Sequence, residues 1–195
     1  MIDPNSLNLG KGHKLVVTKG MFQKEISKFV SEVYFNQANF QFNQSLNNLI
    51  IDIINEDKIL ACHSTVFTIY NAEQQCQLTA RLIKSNPKLP FFKSFGSKDF
   101  QYTEVYEFAR YASTKKLSFI YTLRLFQNML SHIPDNAVIV ACIDSDLYDK
   151  FCRLGFPFDK ISEPIFYLGS LTVPVNAKVK NIEDWLNKHK RICSQ

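Results

Sequence analysis

The sequence lacks the cysteine and histidine spacings that build disulfide frameworks or metal sites. Its cysteines are odd in number, and no two of them form a C-x-x-C pair. The five are Cys62, Cys76, Cys142, Cys152 and Cys193. His63, His132 and His189 are isolated from one another, with no metal-ligand spacing between them. We therefore expect no disulfide bond and no bound metal.

The sequence also lacks the features of membrane and nucleic-acid-binding proteins. No apolar run approaches the length of a membrane span, and the N-terminus has no apolar segment of a secretory signal peptide. The formal net charge is only +5, and no long Lys/Arg run or basic arm is present. We predict a cytoplasmic protein without a nucleic-acid partner, whose mild positive charge suits an acidic protein partner.

The length and composition indicate one globular domain. The chain has 195 residues, of which 46% are hydrophobic and 21% charged, and it contains no internal repeat or linker. Within a single domain over residues 1–195, we expect residues 1–20 to form an extended arm or a first strand and residues 176–195 to form a C-terminal helix. Seventeen Phe and eight Tyr form either an aromatic core or the lining of a tunnel for an acyl chain.

Hydrophobic periodicity predicts the elements of the first half. His13–Thr18 has the composition of a short strand, and apolar residues recur at helical spacing over 21–36. Leu49–Ile54 is typical of a strand, with a turn at 55–57. The runs TVFTIY and CQLTARLI, joined by NAEQQ, predict a β-hairpin.

The second half alternates predicted strands and helices. In order, these are a strand at Thr103–Tyr111, a helix capped by Ser113 or Thr114, a buried strand at 137–143, a short helix capped by Asp144 or Ser145, a strand at Pro164–Val175 and a terminal helix from Asn181. Such mixed α/β chains place ligands where the connectivity of the sheet switches.

Two charged residues interrupt the predicted strand EVYEFARYA. Burying Glu107 and Arg110 there costs free energy unless the charges are paired or used. Residues three apart in a regular strand point to opposite faces, so the two side chains share one site only if a bulge intervenes. Without a bulge, Glu107 meets Arg81 on the neighbouring strand. The alternative is a purely structural ion pair, Glu107 with Arg81 or Arg110, that fixes strand register.

Four motifs, in this order along the chain, resemble those of a known family. They are Thr79-Ala80-Arg81-Leu82, Glu107-Phe108-Ala109-Arg110, the segment DLYDKFCRLGF at Asp146–Phe156, and ISEPIFYLGSLTVP. Together they resemble GNAT acyltransferases, in the branch of autoinducer (acyl-homoserine-lactone) synthases and long-chain N-acyl amino acid synthases. The resemblance implies an α/β (α+β) fold with a mixed, mostly antiparallel central sheet, flanking helices and a splayed central strand.

The segment after the central strand departs from the family pattern. GNAT enzymes carry a glycine-rich loop there, whose N–H groups bind the pyrophosphate of coenzyme A, but residues 112–116 are ASTKK. We therefore expect no tightly bound cofactor and an acyl-phosphopantetheine thioester as co-substrate, on acyl carrier protein (acyl-ACP) in preference to acyl-CoA. Candidate residues for this group are Ala109, Tyr111, Ser113, Lys115 and Lys116, although the two lysines equally suit a solvated helix start.

The remaining candidates follow from the same resemblance. The family's general-acid tyrosine is replaced by Phe151, and Tyr148, nearly one turn earlier, is the candidate substitute. Asp57 matches the first of two acids of autoinducer synthases, but the second position is apolar, which favours the N-acyl amino acid branch. Glu107 is the candidate general base, with Arg110 and Arg81 as further catalytic candidates.

These features predict an N-acyltransferase that moves a medium or long acyl chain from a thioester to the amine of an amino acid or similar small molecule. Two alternatives stay open. One is a GNAT-like binding module without turnover, and the other is an ordinary acetyl-CoA-dependent N-acetyltransferase.

Overall fold

The computed structural model describes residues 6–37, 43–84, 104–114, 117–167 and 169–189. The chain divides into two compact units, each built from two segments. The first unit comprises Met1–Ile83 and Ala109–Ser118, and the second comprises Lys84–Phe108 and Phe119–Gln195. The single domain expected from the sequence stays a prediction.

Four strands of the first unit pair antiparallel in the order β1-β2-β3-β4. They are β1 (Ser6–Gly10), β2 (His13–Lys19), β3 (Ser64–Tyr70) and β4 (Cys76–Lys84). The predicted hairpin is confirmed as β3 and β4, in which Phe67 lies opposite Ala80. The predicted first strand is confirmed as β2, and β1 pairs with it on the outer side.

Two helices complete the first unit. Helix α1 (Lys24–Phe35) buries Ile26 and Val30. Helix α2 (Leu46–Leu60) begins after Ser45, whose side-chain oxygen accepts a hydrogen bond from the backbone N–H of Asn48 at 3.3 Å. A 3₁₀ turn (Ala61–His63) then leads into β3.

The strand predicted at Leu49–Ile54 is wrong, because this segment lies in the middle of α2. The buried residues of α2 are Leu49, Ile53 and Asp57, which recur every four residues, as one face of a helix requires. Leu49 and Ile53 pack with Val30 of α1 and with Ala112 in a small core. The β-branched run resembles a strand locally, but packing against α1 selects the helix.

Five further strands are described in whole or in part in the second unit. Strand β5 (Val105–Ser113) begins in this unit and pairs parallel with β6 (Val138–Asp144), which pairs antiparallel with β9 (Ser170–Lys178). Two short strands, β7 (Asp159–Lys160) and β8 (Ile165–Tyr167), also pair with β9. The predicted strand at Pro164–Val175 is therefore two strands, joined by a turn at Gly169, where φ is +84°.

Within the described residues, three helices flank these strands: α3 (Phe119–Leu130), α4 (Ser145–Arg153) and α5 (Val179–Lys188). The side chain of Asp144 caps α4, as predicted. The cap predicted for α3 is wrong, because Ser113 ends β5 and the hydroxyl of Thr114 donates to Gln77 at 3.1 Å. The C-terminal helix expected over 176–195 starts only at Val179, since residues up to Lys178 belong to β9.

The second unit is packed around clustered aromatic rings. Phe151 of α4 is completely buried, and its ring centroid lies 4.7 Å from Phe156, 5.3 Å from Phe158 and 5.7 Å from Phe126. Trp185 of α5 covers Phe156 at 5.0 Å. These five residues form the aromatic cluster of the second unit, which agrees with the expectation of an aromatic core.

The fold class expected from the sequence is confirmed. The strands form a mixed, mostly antiparallel sheet flanked by helices. The central strand β5 runs from Val105 to Ser113, but its regular backbone conformation is interrupted at Arg110, whose φ of +56° lies in the left-handed region that non-glycine residues seldom adopt. No helix in the described ranges has the length and apolar character that a membrane crossing requires.

Candidate active site

Asp57 of α2 forms ion pairs with two arginines, which lie on two different strands within the first unit. Its Oδ2 lies 2.6 Å from Nη2 of Arg81 on β4, and its Oδ1 lies 3.1 Å from Nε of Arg110 on β5. The three side chains are 1%, 6% and 7% exposed, respectively. The helix face that buries Leu49 and Ile53 therefore also carries the acid that joins both candidate arginines.

Two further side chains complete this network. Ser27 of α1 donates its hydroxyl proton to Oδ2 of Asp57 at 2.6 Å. Glu56, the neighbour of Asp57 on α2, accepts a hydrogen bond from Nη2 of Arg110. We call Ser27, Glu56, Asp57, Arg81 and Arg110 the arginine–carboxylate network. It contains two positive and two negative charges, so its formal charge is zero.

The network keeps its buried groups ionised. Burial alone would raise the pKa of Asp57, but the charges of Arg110 and Arg81 and the hydrogen bonds from Arg81 and Ser27 outweigh it, and the pKa falls below its ordinary value of 3.8. Burial alone would lower the pKa of Arg110, but the carboxylates of Asp57 and Glu56 raise it instead. At neutral pH, Asp57 is therefore a carboxylate and Arg110 a cation.

The backbone of β5 has a left-handed residue at the point where Arg110 joins the network. A residue with a Cβ at φ of +56° is held in a strained conformation, which persists only when surrounding interactions fix it. The contacts of Arg110 with Asp57 and Glu56 supply that restraint. The sequence requires a bulge between Glu107 and Arg110 if the two serve one site, and that shared site stays a prediction.

A small pocket opens beside the network, within the first unit. Its inner volume is about 10 Å³, and Met21, Phe22, Gln23, Asp57, Ser64 and Arg81 are among its lining residues. Three buried polar atoms of these side chains have no hydrogen-bond partner among the described residues: Nε and Nη1 of Arg81 and Oε1 of Gln23. Buried donors and acceptors are nearly always satisfied in folded proteins, so these three atoms are an unusual feature of the first unit.

Glu107, the candidate base, lies on β5 in the second unit. It is 7% exposed and faces Val140 of β6 in the parallel register. Burial, and then the charge of Glu107, raise the pKa of the Cys142 thiol on β6. Cys142 is therefore protonated at neutral pH, as expected for a core cysteine and not for a nucleophile.

Tyr148, the candidate acid, is half-buried on α4 in the second unit. A hydrogen bond with the Cys152 side chain and then burial raise the pKa of its phenol, which stays protonated at neutral pH. Phe151 has no hydroxyl and lies within the aromatic cluster. Of the two aromatic residues on this helix, only Tyr148 carries a proton that it can donate.

Three of the five residues expected to bind the thioester lie along the second half of β5. Ala109 and Tyr111 flank Arg110 at the interruption, and Ser113 ends the strand, with its hydroxyl donating to the carbonyl of Thr114 at 3.2 Å. Lys115 and Lys116 lie outside the described residues. Within the described ranges, no group of three or more His, Cys, Asp or Glu side chains could hold a metal ion.

Sequence reasoning did not connect the acids with the arginines. Asp57 matched an acid of autoinducer synthases but was expected in a turn after a strand, and Glu56 had no assigned role. The signal was present in the spacing of Leu49, Ile53 and Asp57, which places the acid on the buried face of a helix. An acid on that face needs a buried cation as partner, and Arg81 and Arg110 are the two arginines within the predicted strands.

Neither protein-family models nor curated protein sequences match this chain. Solved structures do match it. The nucleotide-linked sugar GNAT FdhC superposes with a TM-score of 0.55 at 10% identity, over 92% of this chain and 94% of FdhC. The present protein has the GNAT fold.

Two further solved structures place acyl-chain synthases among the GNAT folds that this chain resembles. FeeM, an N-acyl amino acid synthase from uncultured soil microbes, has a TM-score of 0.58 at 15% identity, over 90% of this chain and 94% of FeeM. The AHL synthase LasI has a TM-score of 0.59 at 12% identity, over 85% of this chain and 90% of LasI. The resemblance inferred from the four motifs is thus confirmed at the level of the GNAT fold.

Proposed function

We propose that the protein is an N-acyltransferase that moves a medium or long acyl chain from a phosphopantetheine thioester to the amine of an amino acid or similar small molecule. The observation that carries the proposal is a buried carboxylate, Glu107, on the central strand of a GNAT fold. That strand is interrupted three residues later, at Arg110. FeeM and LasI, which share the fold, are by name synthases of acylated products.

The reaction joins the amine nitrogen to the thioester carbonyl carbon and breaks the bond from that carbon to sulfur. In the proposed mechanism Glu107 takes the proton from the attacking amine, directly or through one water. Such base catalysis contributes roughly 10²–10⁴-fold to the rate. Tyr148 gives its phenolic proton to the departing thiolate, so that the free phosphopantetheine thiol is the second product.

The tetrahedral intermediate needs hydrogen-bond donors for its oxyanion. We assign these to backbone N–H groups at the interruption of β5, next to Ala109 and Tyr111. The arginine–carboxylate network holds Arg110 in its left-handed conformation and so preserves this local backbone geometry. In this proposal Arg110 and Arg81 are positioning residues.

The proposed donor is acyl carrier protein, with acyl-CoA as the second choice. An acidic carrier suits a chain of net charge +5, and Ser113, Lys115 and Lys116 are the proposed contacts for the phosphopantetheine arm.

A specific observation favours one alternative function, in which the protein binds an acyl thioester but does not catalyse its transfer. Phe151 occupies the position of the family's catalytic tyrosine and is fully buried.

The test is thiol release from long-chain acyl carrier protein in the presence of mixed amino acids. We expect release by the parent protein and a loss of roughly 10²–10⁴-fold in Glu107→Gln. Glu104→Gln is the matched control, since Glu104 precedes the same strand but bonds the Tyr106 hydroxyl at 3.0 Å. Mass spectrometry of the products identifies the acylated amine.

Two results would contradict the proposal. If no combination of chain and amine releases thiol, the protein is a binding module. If acetyl-CoA is turned over while long chains are rejected, it is an ordinary N-acetyltransferase.

A further inference from the structure

Cys142 and Glu107 lie on the same face of the sheet in the second unit. In the parallel register of β5 and β6, Glu107 lies opposite Val140. Because side chains alternate along a strand, Cys142 points to the same side of β6 as Val140, and therefore to the same side as Glu107. With strands about 4.8 Å apart and a rise of about 3.3 Å per residue, Cys142 is the diagonal neighbour of Glu107, within reach of its long side chain.

The electrostatics of the thiol agree with this register. After burial, the charge of Glu107 is the second cause that raises the pKa of the Cys142 thiol. A charge shifts the pKa of another group mainly when the two lie within about 4–6 Å of each other. The carboxylate of Glu107 is therefore close to the sulfur of Cys142, and the thiol keeps its proton at neutral pH.

The face is partly open beside Cys142. Val140 and Ala141, which precede it on β6, are buried, and so is Pro174, its cross-strand neighbour on β9. Cys142 itself is partly exposed. A general base must come within hydrogen-bond reach of the proton that it removes. The exposed side of Cys142 is the side from which a small amine can approach the carboxylate.

The other ionisable groups on this face of the described strands lie farther from Glu107. They are Asp144, Asp159 and Lys178. Asp144 is two residues beyond Cys142, and its carboxylate caps α4. Asp159 and Lys178 lie on β7 and β9, on the far side of β6 from Glu107. Among the described strands of the second unit, the thiol of Cys142 is therefore the ionisable group nearest to the carboxylate.

We propose that Cys142 positions the base of the reaction. Its S–H group donates to the Glu107 carboxylate, favours the ionised form and holds the carboxylate at the open side of the face. A thiol is small and supplies a single weak donor, so a carboxylate oxygen stays free to take the proton of the amine. The inference rests on the proposed function, because Cys142 acts through Glu107. Cys142 forms no bond to the substrate.

The first test measures the proximity of the two side chains without any turnover. The full chain is treated with iodoacetamide at one alkaline pH, and peptide mass spectrometry gives the alkylation rate of each cysteine. Removal of the carboxylate charge in Glu107→Gln raises the thiolate fraction of Cys142, so we expect its alkylation to be about 3- to 10-fold faster, as for a pKa change of up to about one unit.

Two controls separate charge from packing. Glu107→Asp keeps the charge, so Cys142 should react much as in the parent, whereas a loosened structure would speed the reaction in both variants. Cys152, which is exposed on α4, should react at the same rate in every sample. Equal alkylation of Cys142 in the parent and in Glu107→Gln would overturn the inference, and so would equal acceleration in Glu107→Gln and Glu107→Asp.

The second test is the pH dependence of thiol release from long-chain acyl carrier protein. Without the thiol donor the carboxylate takes up its proton at a higher pH, so the acid limb of the rate profile should lie about 0.5–1 pH unit higher in Cys142→Ala than in the parent. Cys142→Ser keeps a donor and should bring the limb back towards the parent. A purely structural role would lower the rate at every pH and leave the limb in place, which would contradict the proposal.

Together the two tests separate this inference from the proposed function. Charge-dependent alkylation of Cys142, without thiol release by the parent, would support the thiol–carboxylate contact and reject the acyltransferase. Thiol release that depends on Glu107, with equal alkylation in Glu107→Gln and an unmoved acid limb in Cys142→Ala, would reject the role of Cys142 and leave the acyltransferase standing.

Discussion

Nη2 of Arg81 lies 2.6 Å from Oδ2 of Asp57, and both side chains are almost completely buried. Asp57 belongs to a helix and Arg81 to a strand of the first unit, so the pair ties α2 to β4. A buried ion pair gains little over well-packed apolar residues, but removal of one partner leaves an uncompensated charge.

Asp57→Asn should lower the free energy of unfolding by about 3–5 kcal/mol. The substitution leaves the buried guanidinium of Arg81 without its anionic partner and removes one of the two carboxylates at Arg110. Urea unfolding measures the effect. Asp52→Asn, an exposed change on the same helix, should stay within about 0.5 kcal/mol of the parent. Equal stability of both variants would show that the network is not a structural element.

The contribution of Asp57 should disappear in acid. Its folded-state pKa lies below the unfolded value of 3.8, so the stabilisation is fully present above pH 3.8 and is lost as the pH falls through the folded pKa. The difference in unfolding free energy between parent and Asp57→Asn should therefore be constant above pH 3.8 and shrink below it. Urea unfolding at pH values on both sides of 3.8 checks this sign. A difference that grows on acidification would contradict it.

Arg110→Gly should be more stable than Arg110→Ala. Both substitutions remove the ion pairs with Asp57 and Glu56, but only glycine adopts a φ of +56° without steric cost. We expect a difference of about 1 kcal/mol in favour of glycine. At Ala112, two residues later on the same strand, change to glycine should instead destabilise, because that residue packs in the core with Val30. Equal free energies of unfolding for Arg110→Ala and Arg110→Gly would show that the backbone at residue 110 leaves the left-handed region without cost.

Phe151→Tyr should destabilise the protein without supplying a catalytic acid. Phe151 is completely buried among aromatic rings, and a hydroxyl placed there without a partner costs about 1–3 kcal/mol. Thermal unfolding measures the loss, and Phe166→Tyr, at a residue 61% exposed, is the neutral control. Unchanged stability together with increased thiol release would mean that the hydroxyl reaches the reacting thioester.

The sequence predicts the sheet better than it predicts α2. The hairpin β3–β4 and the strands β5 and β6 follow from composition and local pattern, which favour the same structure as their packing. In α2 the run from Leu49 to Ile54 favours a strand locally, while burial at every fourth residue requires a helix. Tertiary contacts with α1 decide between them, and a local pattern does not contain those contacts.

The candidate site was only partly predictable for a related reason. The E-x-x-R spacing signals an unusual strand, because a regular strand separates Glu107 from Arg110. It does not identify the partners of the arginines, since Asp57 lies 24 residues before Arg81 and 53 before Arg110 in the sequence. If residues 49–54 are interpreted as a strand, Glu56 and Asp57 are placed in a turn, and no contact between them and the arginines is predicted.

The division of β5 between the two units has a consequence for biosynthesis. The first unit needs Ala109–Ser118, including Arg110, so its arginine–carboxylate network cannot close until the ribosome has passed Ser118. By then Lys84–Phe108, which belong to the second unit, have already been made. Until then, Asp57 in the amino-terminal half of the nascent chain lacks its ion pair with Arg110, and the first unit cannot complete its folding.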